Sequence, residues 1–386
     1  MAQLYYGRGK DEDNKKLIAF LDEVFFSEED DTREFLQLLP KIYKDKYRPA
    51  YNNFVVQDEN GTFRSAIGNF YNDMLIGGEQ VKTCCIGNVA VGKEYRSMGY
   101  MKELMKMSVE DMKNNGVDMA YLGGQRQRYG YFGFESAGVR YCYQYNRQTL
   151  KHTLGDTPSG LVLEKLREDD TDTIKKISAI YEKLPVISLR PAENYFDILS
   201  SWNVTPYVIK EDGKFVGYLA TCDFDYIQEI DVISPEYFGR AVKCAFENSE
   251  CFNITFPTAP FECDKVKFFC ENAEGMEIGG CEAMLIYNYE KVLRAFLKAK
   301  ASYSKLCDGE FTVLIHGING DEKLKISVKD SKTSVEKYDG TADYELGHHA
   351  ATRAFFSNYS SDRNALPPEV QQWFPLPSYL SGSDTM

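Results

Sequence analysis

The chain has 386 residues, 43% of them hydrophobic, and a formal net charge of −13 at pH 7. This length exceeds what one compact core organises, so we expect two or three domains. The hydrophobic fraction, with 27 Tyr and 24 Phe, excludes a largely disordered chain. The acidic balance argues against nucleic acid as a partner and favours a cationic small molecule or peptide, although an acidic surface also serves solubility alone.

The ten cysteines form no C-x-x-C pair and have no histidine at zinc-ligand spacing. We interpret them as reduced, mostly buried thiols and predict no metal site. Cys84 and Cys85 are adjacent in one predicted strand, so their side chains should point to opposite faces. The first residues lack the apolar core of a signal peptide, and no apolar run approaches about 18 residues. The sequence therefore predicts a cytoplasmic protein without a membrane span.

The first segment, which we place at residues 1–150, combines helices with β-rich runs. Two helices are predicted at 13–26 and 31–47, and Asp30-Asp31-Thr32 would cap the second. Asn60-Gly61 marks a hairpin turn between the first strands. The remaining expected elements are a β-rich run over 52–76, a second over 79–92, a helix beginning near Gly99, a strand over 118–124 and an aromatic loop over 125–138.

The second segment, residues 151–288, repeats part of this pattern. Residues 207–220 echo residues 54–67 as strand, acidic-Gly turn and strand. The turn that follows carries Pro235 and lacks an Arg-x-x-Gly sequence. We infer a duplicated domain whose second copy lost its loop chemistry; chance similarity between two hairpins is the alternative.

The third segment, residues 289–386, is predicted to start with a helix over 289–303. A hairpin turning at Asn319-Gly320 follows, and then a second helix over 347–359. The Pro-rich tail contains aromatic residues, among them Trp373, which indicate that it packs on the protein.

A polar loop joins the strand that ends near Gly92 to the next predicted helix and carries Arg96 and Gly99. The start of a helix presents unpaired N–H groups and the positive end of the helix dipole. Gly99 would let a ligand oxygen approach the backbone, and Arg96 would add a forked cation, so the loop could hold a pyrophosphate. An ordinary strand–helix turn is the alternative. One face of the helix, rich in methionine, is predicted to pack on a sheet; it consists of Met101, Leu104, Met105, Ser108 and Met112.

This loop resembles motif A of the Gcn5-related N-acetyltransferase (GNAT) superfamily, [QR]-x-x-G-x-[GA]. The order of elements in the first segment also resembles that fold. The resemblance implies acetyl-CoA as cosubstrate, held at the loop and along the preceding strand. The expected coenzyme-binding residues are Val89, Ala90, Val91, Arg96, Ser97, Met98, Gly99, Tyr100, Met101, Gly124 and Gln125, with Met101 standing where the motif has a small residue.

A narrower resemblance covers nearly the whole chain. The sequence YGYFGF from Tyr129 to Phe134, the degenerate second copy and the third segment are together similar to the enhanced intracellular survival (Eis) acetyltransferases. The resemblance implies an α+β fold class: two tandem acetyltransferase-like domains, the second degenerate, followed by a sterol-carrier-protein-like domain. It also implies that the C-terminal tail returns to the active site, and that the protein assembles into trimers or hexamers.

The same resemblance implies roles for two residues. Tyr129 would protonate the departing thiolate, and the main-chain carboxylate of Met386 would act as base, although family chains usually end in an aromatic residue. We expect an acetyl-CoA-dependent N-acetyltransferase that acts on an aminoglycoside-, polyamine- or lysine-like primary amine by direct attack in a ternary complex. The alternative is a non-catalytic protein that senses coenzyme or binds an apolar ligand in the sterol-carrier-like domain.

Four other polar residues near these motifs receive a structural interpretation. Arg126 and Arg128 could contact coenzyme phosphates, but solvated surface positions are the simpler explanation. His348 and His349 resemble a ligand pair, yet adjacent residues on a helix diverge, so they cannot easily share one metal.

Overall fold

The computed structural model describes residues 4–26 and 34–386, and the chain is an α+β protein. The strands of the first region are β1 Tyr5–Arg8, β2 Asn53–Gln57, β3 Phe63–Tyr71, β4 Met74–Ile76, β5 Glu79–Val81, β6 Thr83–Val91, β7 Met119–Leu122, β8 Glu135–Ser136 and β9 Arg140–Asn146. Its helices are α1 Asn14–Phe25, α2 Phe35–Leu38, α3 Pro40–Tyr43, α4 Tyr100–Asn114, α5 Arg126–Gly130 and α6 Arg147–Leu154.

The rest of the chain contains a further twelve strands and seven helices among the described residues. The strands are β10 Val162–Lys165, β11 Val186–Ser188, β12 Thr205–Glu211, β13 Lys214–Thr221, β14 Ile227–Val232, β15 Asn253–Thr258, β16 Gly275–Gly279, β17 Ala283–Ile286, β18 Gly309–Gly317, β19 Gly320–Lys329, β20 Lys332–Lys337 and β21 Tyr344–Gly347. The helices are α7 Thr171–Tyr181, α8 Tyr195–Leu199, α9 Phe238–Glu247, α10 Cys263–Asn272, α11 Tyr289–Tyr303, α12 His348–Phe356 and α13 Pro368–Gln371.

A seven-stranded sheet in the order β1-β2-β3-β6-β7-β17-β8 is the scaffold of the first region. Strands β6 and β7 run parallel because α4 crosses between them, and the other neighbours are antiparallel. Strand β17 lies between β7 and β8 although it comes from the end of the second segment. Strand β9 likewise pairs with β15 and β16. The first two segments therefore share strands, and their expected limits at residues 150 and 288 stay predictions.

Helix α4 packs one face on this sheet, as its sequence pattern predicts. Leu104, Met105, Ser108 and Met112 are buried, and Gly99 is the residue that precedes the helix. Met101, which the pattern predicts on the buried face, is half-buried at the edge of the same core. Tyr100, which the pattern does not include, is buried. The predicted start and buried face of this helix are therefore confirmed.

The second region is built on the antiparallel sheet β10-β12-β13-β14. Asp212 and Gly213 form the turn between β12 and β13 with φ angles of 46° and 76°, which confirms the predicted acidic-Gly turn. Pro235 opens a short 3-10 turn that leads from β14 into α9. One face of α9 packs on this sheet through Val242 and Phe246.

The third region is a sheet in the order β20-β19-β18-β21, covered by α11 and α12. Its core includes Phe311 and Phe355, and Trp373 from the tail is fully buried among them, so the predicted packing of the tail is confirmed. The predicted hairpin is also present. Because Gly317 pairs with Gly320, its turn consists of residues 318 and 319, one position earlier than Asn319-Gly320.

The prediction of one helix over residues 31–47 is wrong. Helix α2 ends at Leu38, and α3 begins at Pro40. A proline disfavours the helical conformation of the residue before it, and Leu39 has φ −132° and ψ 63°. The predicted caps, Asp30-Asp31-Thr32, lie outside the described residues.

The two adjacent cysteines lie in β6 and point to opposite faces, as predicted. Cys84 is buried in the core beneath α4, and Cys85 is buried in the core shared with the third region. Among the residues that the structure describes, no helix is both long enough and apolar enough to cross a membrane. Residues 4–26 and 34–386 contain no group of three or more His, Cys, Asp or Glu that could hold a metal ion.

Candidate active site

The first part of the site is formed where β6 and β7 separate. Their parallel pairing extends as far as Ile86 opposite Leu122. Asn88 then takes a positive φ of 40°, and the pairing of β6 with β3 shifts at the same level. Residues 87–91 of β6 are therefore not paired with β7, and a wedge-shaped gap opens between the two strands at this level.

The loop that follows β6 bends sharply into α4. Ser97 and Gly99 have φ angles of 67° and 83°, in the left-handed region that favours glycine. A Cβ on Gly99 would meet no atom within 4 Å, so a ligand has free access to this part of the backbone. The first-turn N–H groups of α4 have no partner inside the helix and favour an anion at this end.

A cavity of about 610 Å³ lies over this loop and the end of β6. Seven of the eleven residues expected to bind coenzyme line it. These are Val89, Val91, Arg96, Ser97, Gly99, Tyr100 and Met101. The structure thus gathers the strand and the loop around one space large enough for part of a nucleotide.

The other four expected residues do not line this cavity. Ala90 is buried on the other side of β6, and its carbonyl accepts a hydrogen bond from the Ser65 hydroxyl at 2.7 Å. The Met98 side chain is exposed. Gly124 and Gln125 precede α5, where the Gln125 carbonyl accepts bonds from the first turn of that helix.

Tyr129 lies on the short helix α5 and is 7% exposed. Gly124 has φ 143°, and a Cβ there would lie 2.7 Å from Cε2 of Tyr129, so the glycine makes room for the ring. Burial raises the pKa of Tyr129, while the neighbouring Arg128 cation opposes this shift. The phenol therefore keeps its proton at neutral pH.

A second cavity, of about 430 Å³, brings Tyr129 together with Met386. Its wall is rich in aromatic side chains: Phe25, Phe26, Phe35, Tyr43, Phe70 and Trp202. Phe25, Val89 and Arg128 line this cavity and the one over the loop, so the two spaces adjoin. The two residues expected to be catalytic thus lie on one space next to the expected coenzyme site.

Buried hydrogen bonds hold the tail that carries Met386. The Lys41 ammonium donates to the carbonyl oxygens of Ser383 at 2.6 Å and Thr385 at 2.5 Å. The indole N–H of Trp202 also donates to Thr385, at 3.2 Å. Burial lowers the pKa of Lys41 to about 8. The carbonyl carbon of Met386 lies 3.7 Å from the position that a Cβ on Gly87 would take, next to the wedge.

An ion cluster fixes Asp384, two residues before Met386. Arg190 donates to both Asp384 carboxylate oxygens at 2.8 Å and to Glu229 at 2.6 and 3.2 Å. The side chains of the three residues are at most 8% exposed. Burial alone would raise the pKa of Glu229, but the Arg190 charge and its hydrogen bonds lower it to about 2. Tyr181 adds a hydrogen bond to Asp384 at 2.9 Å.

The two arginines of the aromatic loop have different surroundings. Arg126 is an exposed surface residue, as predicted, and it also donates to the buried carboxylate of Glu135 at 2.6 and 2.9 Å. Arg128 is exposed and lines both cavities, in a position to meet a ligand that spans them.

Several residues of the site carry no sequence signal of their own. Phe25, Trp202 and Lys41 come from helices or turns that share no motif with the loop. Trp202 is one of only two tryptophans, which is the sole hint that the sequence offers. These residues reach the site because the tail and the second region fold back on β6.

Comparison with known proteins finds a family match for the first region. Residues 6–137 match the family model for an acetyltransferase (GNAT) domain, so this part of the chain carries such a domain. No curated protein matches the sequence significantly. The match includes β6, the loop, α4 and Tyr129, which are the elements around the two cavities.

Solved structures extend the likeness to the whole chain. A GCN5-related N-acetyltransferase from Anabaena variabilis has 15% identity and a TM-score of 0.68, with 100% of each chain covered. A probable N-acyltransferase from Enterococcus faecalis has 15% identity and a TM-score of 0.65, with 91% of this chain and 89% of that chain covered. Eis1 from Mycobacterium abscessus has 14% identity and a TM-score of 0.61, with 96% and 95% covered. At these identities the chain shares their fold.

Proposed function

We propose that this protein is an N-acetyltransferase that moves the acetyl group of acetyl-CoA to a primary amine by direct attack in a ternary complex. One observation carries the proposal. Tyr129 and Met386 line a single cavity, and that cavity adjoins the space over the Arg96–Gly99 loop through shared wall residues. The match of residues 6–137 to an acetyltransferase domain supports it.

The loop cavity is the proposed coenzyme site. The pyrophosphate would accept hydrogen bonds from the first turn of α4 and from Arg96, while the open backbone at Gly99 allows close approach. The pantetheine arm would follow residues 87–91 in the wedge and bring the thioester to the cavity of Tyr129. Lys102 and Arg128, which also line the loop cavity, add positive charge to an otherwise acidic protein.

Tyr129 is the proposed general acid. As the amine nitrogen bonds to the carbonyl carbon, the C–S bond breaks and the sulfur leaves as a thiolate. The phenol, whose pKa is raised further above neutral pH by burial, donates its proton to that sulfur. Coenzyme A then leaves as the free thiol, and the phenolate regains a proton from solvent.

The main-chain carboxylate of Met386 is the proposed base. It would accept a proton from the attacking nitrogen, whose acidity rises as the new C–N bond forms. The bonds from Lys41 and Trp202 to Thr385 fix the backbone immediately before it. A carboxylate on a tethered tail is suited to this role because the tail holds it in position.

The aromatic wall suggests how the amine is held. The described residues that line the 430 Å³ cavity include no Asp or Glu. Aromatic faces attract cations, so Phe70 and Trp202 could hold an ammonium group before it loses its proton. The net charge of −13 would attract such a cation to the protein from a distance. We propose an aminoglycoside-, polyamine- or lysine-like amine as acceptor.

The test is thiol release from acetyl-CoA with a panel of polyamines, aminoglycosides and basic peptides. We expect turnover with at least one amine and a loss of about 10²–10⁴-fold in kcat for Tyr129→Phe. Tyr131→Phe is the matched control, because Tyr131 is on the same loop but 68% exposed. Residues added after Met386 should also reduce kcat strongly by converting the carboxylate into an amide.

The same assay, together with a measurement of coenzyme binding, separates the alternative of a coenzyme sensor or apolar-ligand carrier. Tight coenzyme binding without turnover across the panel would support a sensor and reject the enzyme. The sterol-carrier-like character of the third region remains a prediction. Its core contains Trp373 and Phe374 packed beside Phe311, where an apolar ligand would otherwise lie. We therefore give the transferase the first place.

A further inference from the structure

Helix α12 of the third region contacts the loop that carries Tyr129. We call residues 126–136 the Tyr129 loop. His348 Nε2 lies 2.8 Å from the carbonyl oxygen of Gly133, and His349 Nε2 lies 3.0 Å from that of Gly130. The two histidines, although adjacent, thus bind two carbonyls on one turn of the loop, immediately after Tyr129.

The acceptors define the protonation of the two rings. A carbonyl oxygen only accepts, so each Nε2 must carry the hydrogen. In His348 the other ring nitrogen, Nδ1, lies 3.2 Å from the hydroxyl of Tyr289, the first residue of α11. Burial lowers the pKa of His348 to about 4, so its ring is neutral and donates from Nε2 at physiological pH. His348 is therefore fixed on one side by α11 and holds Gly133 on the other.

The same helix also holds the far end of the loop. Arg353 donates to the Glu135 carboxylate at 2.6 Å, and the Ser357 hydroxyl, just beyond the helix, donates to the carbonyl of Ser136 at 2.5 Å. The N–H of Gly138 donates to the carbonyl of Phe356 at 2.9 Å. Contacts with α12 therefore extend along the loop from Gly130 to just past its end.

The loop needs this support because its own structure is slight. Helix α5 has five residues, and a helix this short is not stable by itself in water. The bonds within the loop are a few backbone contacts, such as Phe132 and Phe134 N–H to the Tyr129 carbonyl at 2.9 and 3.3 Å, and the Arg126–Glu135 ion pair, whose arginine side chain is 57% exposed. A general acid must stay within hydrogen-bond reach of the leaving group, so small displacements of this loop would matter.

We propose that His348 and His349 are positioning residues that hold the Tyr129 loop in its active arrangement from the third region. This inference rests on the proposed role of Tyr129 as general acid. It also gives the third region a task in the reaction that needs no ligand of its own. Neither ring lines the cavities around Tyr129, so the histidines act through the loop backbone.

Hydrogen exchange and steady-state kinetics on the full chain test the proposal. In the variant with His348→Ala and His349→Ala, amides of residues 126–136 should exchange about tenfold faster or more, because two bonds to the loop are lost. We expect kcat to fall by about tenfold or more while the KM for acetyl-CoA stays within about twofold. His348→Gln and His349→Gln keep an N–H donor at similar reach and should recover most of both losses. His152→Ala, an exposed histidine of α6, is the control.

Each outcome decides the proposal. Unchanged exchange in the loop of the alanine variant would overturn it, and so would faster exchange with an unchanged kcat. If the double alanine variant does not fold, His348→Ala and His349→Ala are tested singly against the two glutamine variants. Faster loop exchange and a lower kcat in the alanine variants than in the glutamine variants support the proposal, and equal values in the two sets reject it. A wild-type protein without turnover would reject the proposed function, whereas loop exchange would still show whether the histidines hold the loop.

Discussion

Replacement of Arg190 by methionine should release the tail that carries Met386. The substitution keeps much of the side-chain volume but leaves Asp384 and Glu229 buried without their shared cation. Removing one partner from a buried ion cluster costs about 3–5 kcal/mol, because the remaining charge has neither water nor a counterion. Arg190→Met removes the partner of two carboxylates at once, so we expect a loss of unfolding free energy at the upper end of this range.

The expected change in melting temperature follows from the length of the chain. Unfolding entropy of about 2.1 cal/mol/K per residue amounts to ~0.8 kcal/mol/K for the chain as one cooperative unit. A loss at the upper end of the range, about 5 kcal/mol, then lowers Tm by about 6 °C in scanning calorimetry. Arg167→Met is the control: its ion pair with Asp169 is solvent-exposed, so its removal should change the free energy by less than about 0.5 kcal/mol.

The functional effect is measured by digestion with a carboxypeptidase. In the wild type the bonds to Asp384 and Thr385 protect the tail, whereas Arg190→Met should lose its last residues much faster and lose turnover in parallel. The explanation would be refuted by a variant that melts within about 1 °C of the wild type and keeps a protected tail, since the cluster would then hold nothing.

Three further substitutions test individual contacts. Gly124→Ala should lower kcat at least about tenfold in the thiol-release assay, because φ 143° is strained for alanine and the new Cβ would lie 2.7 Å from the Tyr129 ring. Gly99→Ala should raise the KM for acetyl-CoA about fivefold for a backbone cost of about 1 kcal/mol, while Gly116→Ala, with a similar φ and equally open surroundings, should not change it. Lys41→Met should change the pH dependence of the free energy of unfolding. The pKa of Lys41 is lowered to about 8 in the folded protein, so the charged amine opposes folding below pH 8 and the variant is then most stable relative to the wild type. Between pH 8 and about 10.5 the free energy of unfolding of the wild type should rise by up to about 3 kcal/mol relative to that of the variant in denaturant melts. An unchanged difference between pH 7 and 10 would show that burial does not perturb this amine.

Local features of the fold could be predicted because they are encoded in short stretches. The spacing of Leu104, Met105, Ser108 and Met112 gives the buried face of α4, and Gly99 marks its start. Aspartate and glycine at 212 and 213 indicate a turn because both accept positive φ. The break at Pro40 was missed since apolar periodicity continued through it, although the proline was visible.

Contacts between distant parts of the chain could not be predicted from pattern alone. Lys41 and Thr385 meet across nearly the whole chain, and His348 meets Gly133 across two regions. Periodicity records which face of an element is buried, but it does not record which partner covers that face. The association of Tyr129 with Met386 was suggested by family resemblance, and the geometry of their shared cavity now supports the roles proposed for them.

Strand β17 has a consequence for how the protein can be made. Residues 283–286 occupy the place between β7 and β8, so the sheet that bears the acetyltransferase domain has a gap until they arrive. During synthesis the ribosome must therefore release the second region before this sheet can close. A fragment that ends near residue 150 would expose the unpaired edge of β7 and should aggregate, whatever its sequence similarity to smaller acetyltransferases. Expression of the first region in isolation requires β17 to be supplied, for example by fusing residues 281–288 behind it or by coexpressing the remainder of the chain.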